Sequence, residues 1–97
     1  MKESIDDFSD RLWCLGFRRI YLVHYEENEQ LARELVKKLP AFQITVAADA
    51  RKLGKDFVSK CIDNSDLTLV INPQSDARRL MLQFDAGFCE VDLGGVQ

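Results

Sequence analysis

The stretch Ile20-Tyr21-Leu22-Val23-His24-Tyr25 passes at once into Glu26, Glu27 and Asn28, and this junction restricts the fold more than any other part of the chain. Six residues dominated by β-branched and aromatic side chains, too few for an ordinary helix, read as a strand buried on both faces. In the segment that follows, about 27–39, Leu31, Ala32, Leu35, Val36 and Leu39 recur at helical spacing. Glutamates open it, Lys37-Lys38 close it to match the helix dipole, and Pro40 stops it. A strand feeding directly into an amphipathic helix is the first half of a βαβ unit, so an α/β sheet is the expectation.

The other segments are read against that unit. Ile5, Phe8, Leu12 and Leu15 lie on one side of a helix over 4–15, with Gly16 as its stop. Phe42, Ile44 and Val46 alternate with Gln43 and Thr45, giving a second strand over 42–48. Phe57, Val58, Cys61 and Ile62 suit a short helix over 55–64. Leu67 to Ile71 is almost wholly apolar and reads as a third, internal strand. A final helix over 77–92 is predicted, capped by Ser75 or Asp76, with Leu80, Met81, Phe84, Phe88 and Val91 inward. The order α-β-α-β-α-β-α then implies a three-layer α/β sandwich on a short parallel, flavodoxin-like or Rossmann-like sheet, strand order 2-1-3, with an extra N-terminal helix. All 97 residues are taken as one domain.

Composition narrows the function classes. With 46% hydrophobic and 30% charged residues and no biased run, neither a disordered nor a fibrous chain is expected. No apolar run approaches the roughly 20 residues of a membrane span. The stretch Met1 to Asp7 is acidic and lacks the apolar centre of a secretory signal, so cytoplasmic residence is the expectation. A net charge of −3 weighs against nucleic acid unless a local basic patch supplies the field. Cys14, Cys61 and Cys89, three and widely spaced, read as small buried thiols and not as a disulfide framework. With one histidine and no ligand spacing no metal is expected, and with no glycine-rich cradle no nucleotide cofactor.

A sheet of order 2-1-3 predicts its ligand crevice beyond the carboxyl ends of the strands. His24, Tyr25, Glu26 and Glu27 would stand there after the first strand, and Asn72, Pro73, Gln74 and Ser75 after the third. Asp49, Arg51, Lys52 and Lys55 would lie beside the second and supply partner or RNA contacts. His24 among acidic neighbours is a candidate acid/base group and equally a structural hydrogen bonder. Open sheet edges invite a protein partner or a second copy, so a homodimer is expected.

Two family resemblances can be stated on particular residues. The run Tyr21-Leu22-Val23-His24-Tyr25-Glu26-Glu27-Asn28-Glu29 resembles the first box of Toll/interleukin-1 receptor (TIR) domains and their SEFIR relatives. The loop Asp49-Ala50-Arg51-Lys52-Leu53-Gly54, the pair Ser65-Asp66 and Glu90 follow in that family's order, over about residues 19–91. His24 stands where the family has serine, Leu53 where it has proline, and the family's later strands are missing. The resemblance implies a small signalling domain acting by homotypic or heterotypic association. Some TIR domains cleave NAD with a glutamate on the helix after the third strand, which nominates Glu90. The run Asp85-Ala86-Gly87-Phe88-Cys89-Glu90 is also similar to a motif of nucleoside 2-deoxyribosyltransferases, with the spacing off by one.

The second resemblance runs from Arg51-Lys52-Leu53-Gly54-Lys55 to Leu69-Val70-Ile71-Asn72 and is similar to the anticodon-binding domain of class II aminoacyl-tRNA synthetases. It implies RNA binding, with Arg51, Lys52 and Lys55 on phosphates. In that family a hairpin stands where a final helix is predicted for this chain, and a glycine where Asn72 stands. Association of TIR-like type is the leading expectation, RNA binding and glutamate-dependent chemistry its alternatives.

Overall fold

The computed structural model describes residues 2–49, 66–84 and 87–94. Its elements run in the order β1 (Lys2–Ser4), α1 (Ile5–Cys14), β2 (Arg19–His24), a single 3₁₀ turn (Glu26–Asn28), α2 (Glu29–Lys38), β3 (Gln43–Asp49), β4 (Leu67–Ile71), β5 (Leu80–Phe84) and β6 (Gly87–Asp92). The six strands form one mixed sheet in the order β1-β6-β5-β4-β2-β3. β2 lies between β3 and β4 and is parallel to both, while β5 is antiparallel to its neighbours β4 and β6. The helix expected over 55–64 lies outside the described residues.

Local chemistry accounts for both helices. Ser4 has extended backbone angles and its Oγ accepts from the Asp7 amide at 3.1 Å, while Asp6 and Asp7 face the positive end of α1. Gly16, at φ +93°, takes the left-handed conformation that ends the helix. In α2 the glutamate-first, lysine-last order stands as read from the sequence. Both helices bury their stripes in one cluster. Ile5, Phe8 and Leu12 of α1 and Ala32 and Leu35 of α2 meet Ile20, Leu22, Leu69, Ile71, Leu80, Leu82 and Val91 of the sheet.

Side chains alternate between the faces of a strand, so Tyr21 and Val23 point away from that cluster. They form a second buried group with Ala47, against which the partly buried Val70 packs. Among the described residues both helices therefore cover the same face, and the helix that a three-layer arrangement would set on the other falls outside them; the sheet is mixed and not purely parallel as expected.

The final helix over 77–92 is overturned. Residues 80–84 and 87–92 are the two strands of an antiparallel hairpin, with Leu82 opposite Cys89 and Gln83 opposite Phe88. The reason is periodicity: Leu80 and Leu82 are fully buried while Gln83 is exposed, and Val91 on the returning strand and Leu93 just after it are buried. Of the five side chains expected inward, Phe88 is 63% exposed. Ser75 and Asp76 do not cap a helix. Ser75 Oγ accepts from the Met81 amide at 2.9 Å, and Asp76 Oδ1 accepts from the amides of Arg78 and Arg79 at 2.9 Å each. Both thus satisfy a turn, the other common use of such side chains.

The hairpin reverses the expectation at two positions, since the helix would have turned Phe88 inward and not Leu82, whereas Leu82 is fully buried and Phe88 exposed. Leu82→Ala is expected to destabilise the fold by roughly 2–5 kcal/mol, and Phe88→Ala by no more than about 0.5 kcal/mol. Urea denaturation checks this, and equal losses at the two positions would contradict the strand assignment.

Candidate functional site

The residues expected to share one crevice are divided between opposite faces of the sheet. His24 follows Leu22 by two positions and so points to the helix-covered side, where it is 6% exposed. Its Nδ1 donates to the Tyr25 carbonyl at 2.9 Å, since a carbonyl only accepts. It lines a cleft of about 480 Å³ with Glu29, Ala32, Arg33, Val36, Lys37 and Val46. Asn72 instead lines a cleft of about 500 Å³ beside Met81, Gln83 and Phe88.

Between the strand ends the loops touch each other. The buried Asn28 donates its side-chain amide to the Pro73 carbonyl at 3.4 Å, closing the gap between the β2 and β4 exits. Tyr25 is half-buried there, while Glu26 and Glu27 are exposed. Asn72 Oδ1 accepts from the Gln74 amide at 2.8 Å, and the Ser75 hydroxyl is engaged with Met81. Asp49 is the last residue of β3. Arg51, Lys52 and Lys55 lie outside the described residues. No group of three or more His, Cys, Asp or Glu side chains among the described residues is placed to hold a metal.

The surface that the sequence did not reveal lies on the other face. Val23 pairs with Val70, Val70 with Gln83, and Gln83 with Phe88, so these four form one row across β2, β4, β5 and β6. Exposure rises along the row, from 7% at Val23 to 63% at Phe88. Glu90, two residues after Phe88, shares its face and its Oε1 accepts from Arg79 Nε at 3.0 Å. The row thus ends in an open aromatic ring that shares its cleft with two amide side chains, with the Glu90–Arg79 ion pair further along β6. The signal for it was present: alternation from Leu80 to Phe84, then Asp85-Ala86-Gly87, a turn-like run before the second strand.

Glu90, nominated by the TIR resemblance as a glutamate on a helix, stands in β6 in an ion pair with Arg79. Asp66, named above only within the TIR resemblance, has a structural role. Its Oδ2 accepts from the Arg18 and Arg19 amides at 2.9 and 3.0 Å, and its Oδ1 faces the Arg19 guanidinium at 3.3 Å. It fixes the start of β4 against the start of β2.

Cys14 is exposed and not buried, because the inward stripe of α1 is Ile5, Phe8 and Leu12. Cys89 is half-buried, and burial pushes its thiol up despite the opposing nearby Arg11. Arg11 is itself held by Glu3.

The described residues define a mixed α/β domain with one helix-covered face and one partly open face. No described helix is long and apolar enough to cross a membrane. Comparison with family models, with curated proteins and with solved structures finds no match to the chain.

Backbone donors from Arg18 and then Arg19 hold the Asp66 carboxyl below its ordinary value. A depressed carboxylate stabilises the fold fully above its unfolded pKa and loses that contribution as pH falls through the folded one. The stability gap between the wild type and Asp66→Asn is therefore expected to be constant near neutrality and to close in the acid range below ordinary carboxylate titration. Denaturation at a series of pH values measures it, and a gap that widens on acidification would contradict the assignment. Alkylation at neutral pH, followed by peptide mass mapping, should label Cys14 well before Cys89, since Cys14 is exposed while burial shields Cys89 and lowers its thiolate fraction.

Proposed function

We propose that this domain binds single-stranded RNA on the open face of the β5–β6 hairpin, in the manner of an anticodon-binding domain. The observation that carries the reading is the row ending at Phe88, an exposed ring on a sheet, with Asn72 and Gln83 in the same cleft and Arg79 nearby. An aromatic side chain on a sheet offers a stacking platform for an unpaired base. The neighbouring amides offer donors and acceptors to its edge, and the guanidinium offers a charge to the backbone phosphate.

The hairpin also supports the family resemblance behind this reading, since that family carries a hairpin after its third strand. Association of TIR-like or SEFIR-like type receives no comparable support from this region, where a helix is required and a hairpin stands. Glutamate-dependent cleavage likewise lacks the helix that would present Glu90. The overall charge of −3 does not by itself oppose a local contact, because Arg78 and Arg79 sit together on the turn that leads into β5.

Fluorescence anisotropy with a short single-stranded RNA tests this. Phe88→Ala is expected to weaken binding about 5- to 150-fold, the loss of one stacked base, with the fold intact. Arg79→Ala should lower the salt dependence by about 0.7 in log–log slope, one phosphate contact on a single strand. Arg51→Glu and Lys52→Glu should weaken binding further. Absence of binding at low salt, or binding indifferent to Phe88→Ala, would reject the reading.

A further inference from the structure

The two edges of the sheet are finished differently. β1, the outer strand on one side, has three residues, Lys2-Glu3-Ser4, and two of them are charged. Shortness and charge are the usual means by which an edge avoids pairing with another chain. β3, the outer strand on the other side, is seven residues long and carries no charge from Gln43 through Ala48. It contains no proline, and among the described residues it has no neighbour beyond β2. Gln43, Thr45 and Val46 are exposed along it, Val46 to 44%.

We infer that β3 is the interface of a homodimer, in which the β3 strands of two copies pair antiparallel about a two-fold axis at Thr45. Three observations fit a second copy in particular. With the axis at Thr45, Ile44 of each copy stands opposite Val46 of the other, both on the helix-covered face, and the half-exposed valine gains an apolar cross-strand partner.

Geometry brings the helices together as well. A crossover helix lies over the two strands it joins, here β2 and β3. The axis therefore sets the two α2 helices two strand spacings apart, about 10 Å, the distance at which helices pack. The cleft of about 480 Å³ between α2 and Val46, floored by Ala32 and Val36, is the space that this contact would close.

The third observation is charge. Glu29, Arg33 and Lys37 follow one another at i, i+4 and i+8 and all line that cleft. Two α2 helices related by the axis run antiparallel, so Glu29 of one copy faces Lys37 of the other, twice. Arg33, nearest the axis, is held in its own helix by Glu29 at 3.1 Å. A stripe negative at one end and positive at the other is complementary to its own antiparallel image, which is the requirement of a two-fold interface.

Sedimentation equilibrium of the full chain from about 1 µM to about 1 mM, the span of weak to moderate association, tests the proposal. A monomer–dimer equilibrium is expected, and Val46→Lys should abolish the dimer while far-UV circular dichroism and the melting temperature of the monomer stay unchanged. Glu29→Lys and Lys37→Glu should each raise the dimer Kd about tenfold or more. The double variant Glu29→Lys/Lys37→Glu keeps opposite charges across the axis and should restore association. A chain that remains monomeric throughout overturns the inference. So does a dimer indifferent to Val46→Lys, or a double variant as impaired as the single ones. None of these outcomes depends on whether Phe88 binds RNA.

Discussion

The fold depends on one strand being desolvated on both sides. Ile20 and Leu22 of β2 are buried against α1, α2 and the flanking strands, while Tyr21 and Val23 are buried on the opposite face. Removing that much apolar surface from water is the main favourable contribution available to a short chain, and it requires hydrogen-bonded neighbours on both edges of β2. β3 and β4 supply them, both parallel. Asp66 holds the entry of this triplet by accepting from two consecutive amides of the β2 approach. Everything else is attached to it: α2 as the crossover, α1 as a second cover on the same face, and the hairpin as an extension beyond β4.

How much of this the sequence disclosed follows from which signals were unopposed. β2, α2 and β4 were legible because apolar run, helical stripe and flanking breakers agreed at each, and α1 because its stripe and terminal glycine agreed. The C-terminal third was misread because two periods fit it. Leu80, Phe84, Phe88 and Val91 satisfy helical spacing almost as well as Leu80, Leu82, Val91 and Leu93 satisfy alternation. Ser75 and Asp76 tipped the choice toward a helix, since the side chain that caps a helix also closes a turn. Registry across β4, which needs buried residues at every second position, decided the matter in favour of strands. β1 was invisible for another reason, since three polar residues carry no pattern and are a strand only by pairing with β6.

The same misreading concealed the candidate site. A helix over 77–92 would have turned Phe88 inward and left the strand exits as the obvious place for a ligand. In the structure those exits are bridged by Asn28 and Pro73, and His24 and Asn72 face opposite sides. The rule that places ligands beyond the carboxyl ends of parallel strands assumes helices over both faces and connections that part between them. Only two residues separate β5 from β6, too few for a covering helix, so the face of the sheet there stays accessible. The place proposed for a ligand therefore moves from the ends of the strands to their flank.

That shift also accounts for the mixture of residue types along the row from Val23 to Phe88. Inside the sheet, Val23 and Val70 face the buried cluster with Tyr21 and Ala47, and only apolar side chains are tolerated without partners. One strand further out Gln83 is exposed, and at the edge of the hairpin Phe88 has lost its cover altogether. A large apolar ring left in water at the end of an otherwise graded row contributes little to stability. Its neighbours Gln83 and Asn72 are amides, and the ion pair of Glu90 with Arg79 stands alongside. A planar, partly polar ligand matches such a surface better than an aliphatic one, because stacking satisfies the ring while the amides remain hydrogen-bonded. The proposal of a nucleobase ligand thus rests on where the sheet ceases to be buried, a boundary that the β5–β6 hairpin sets.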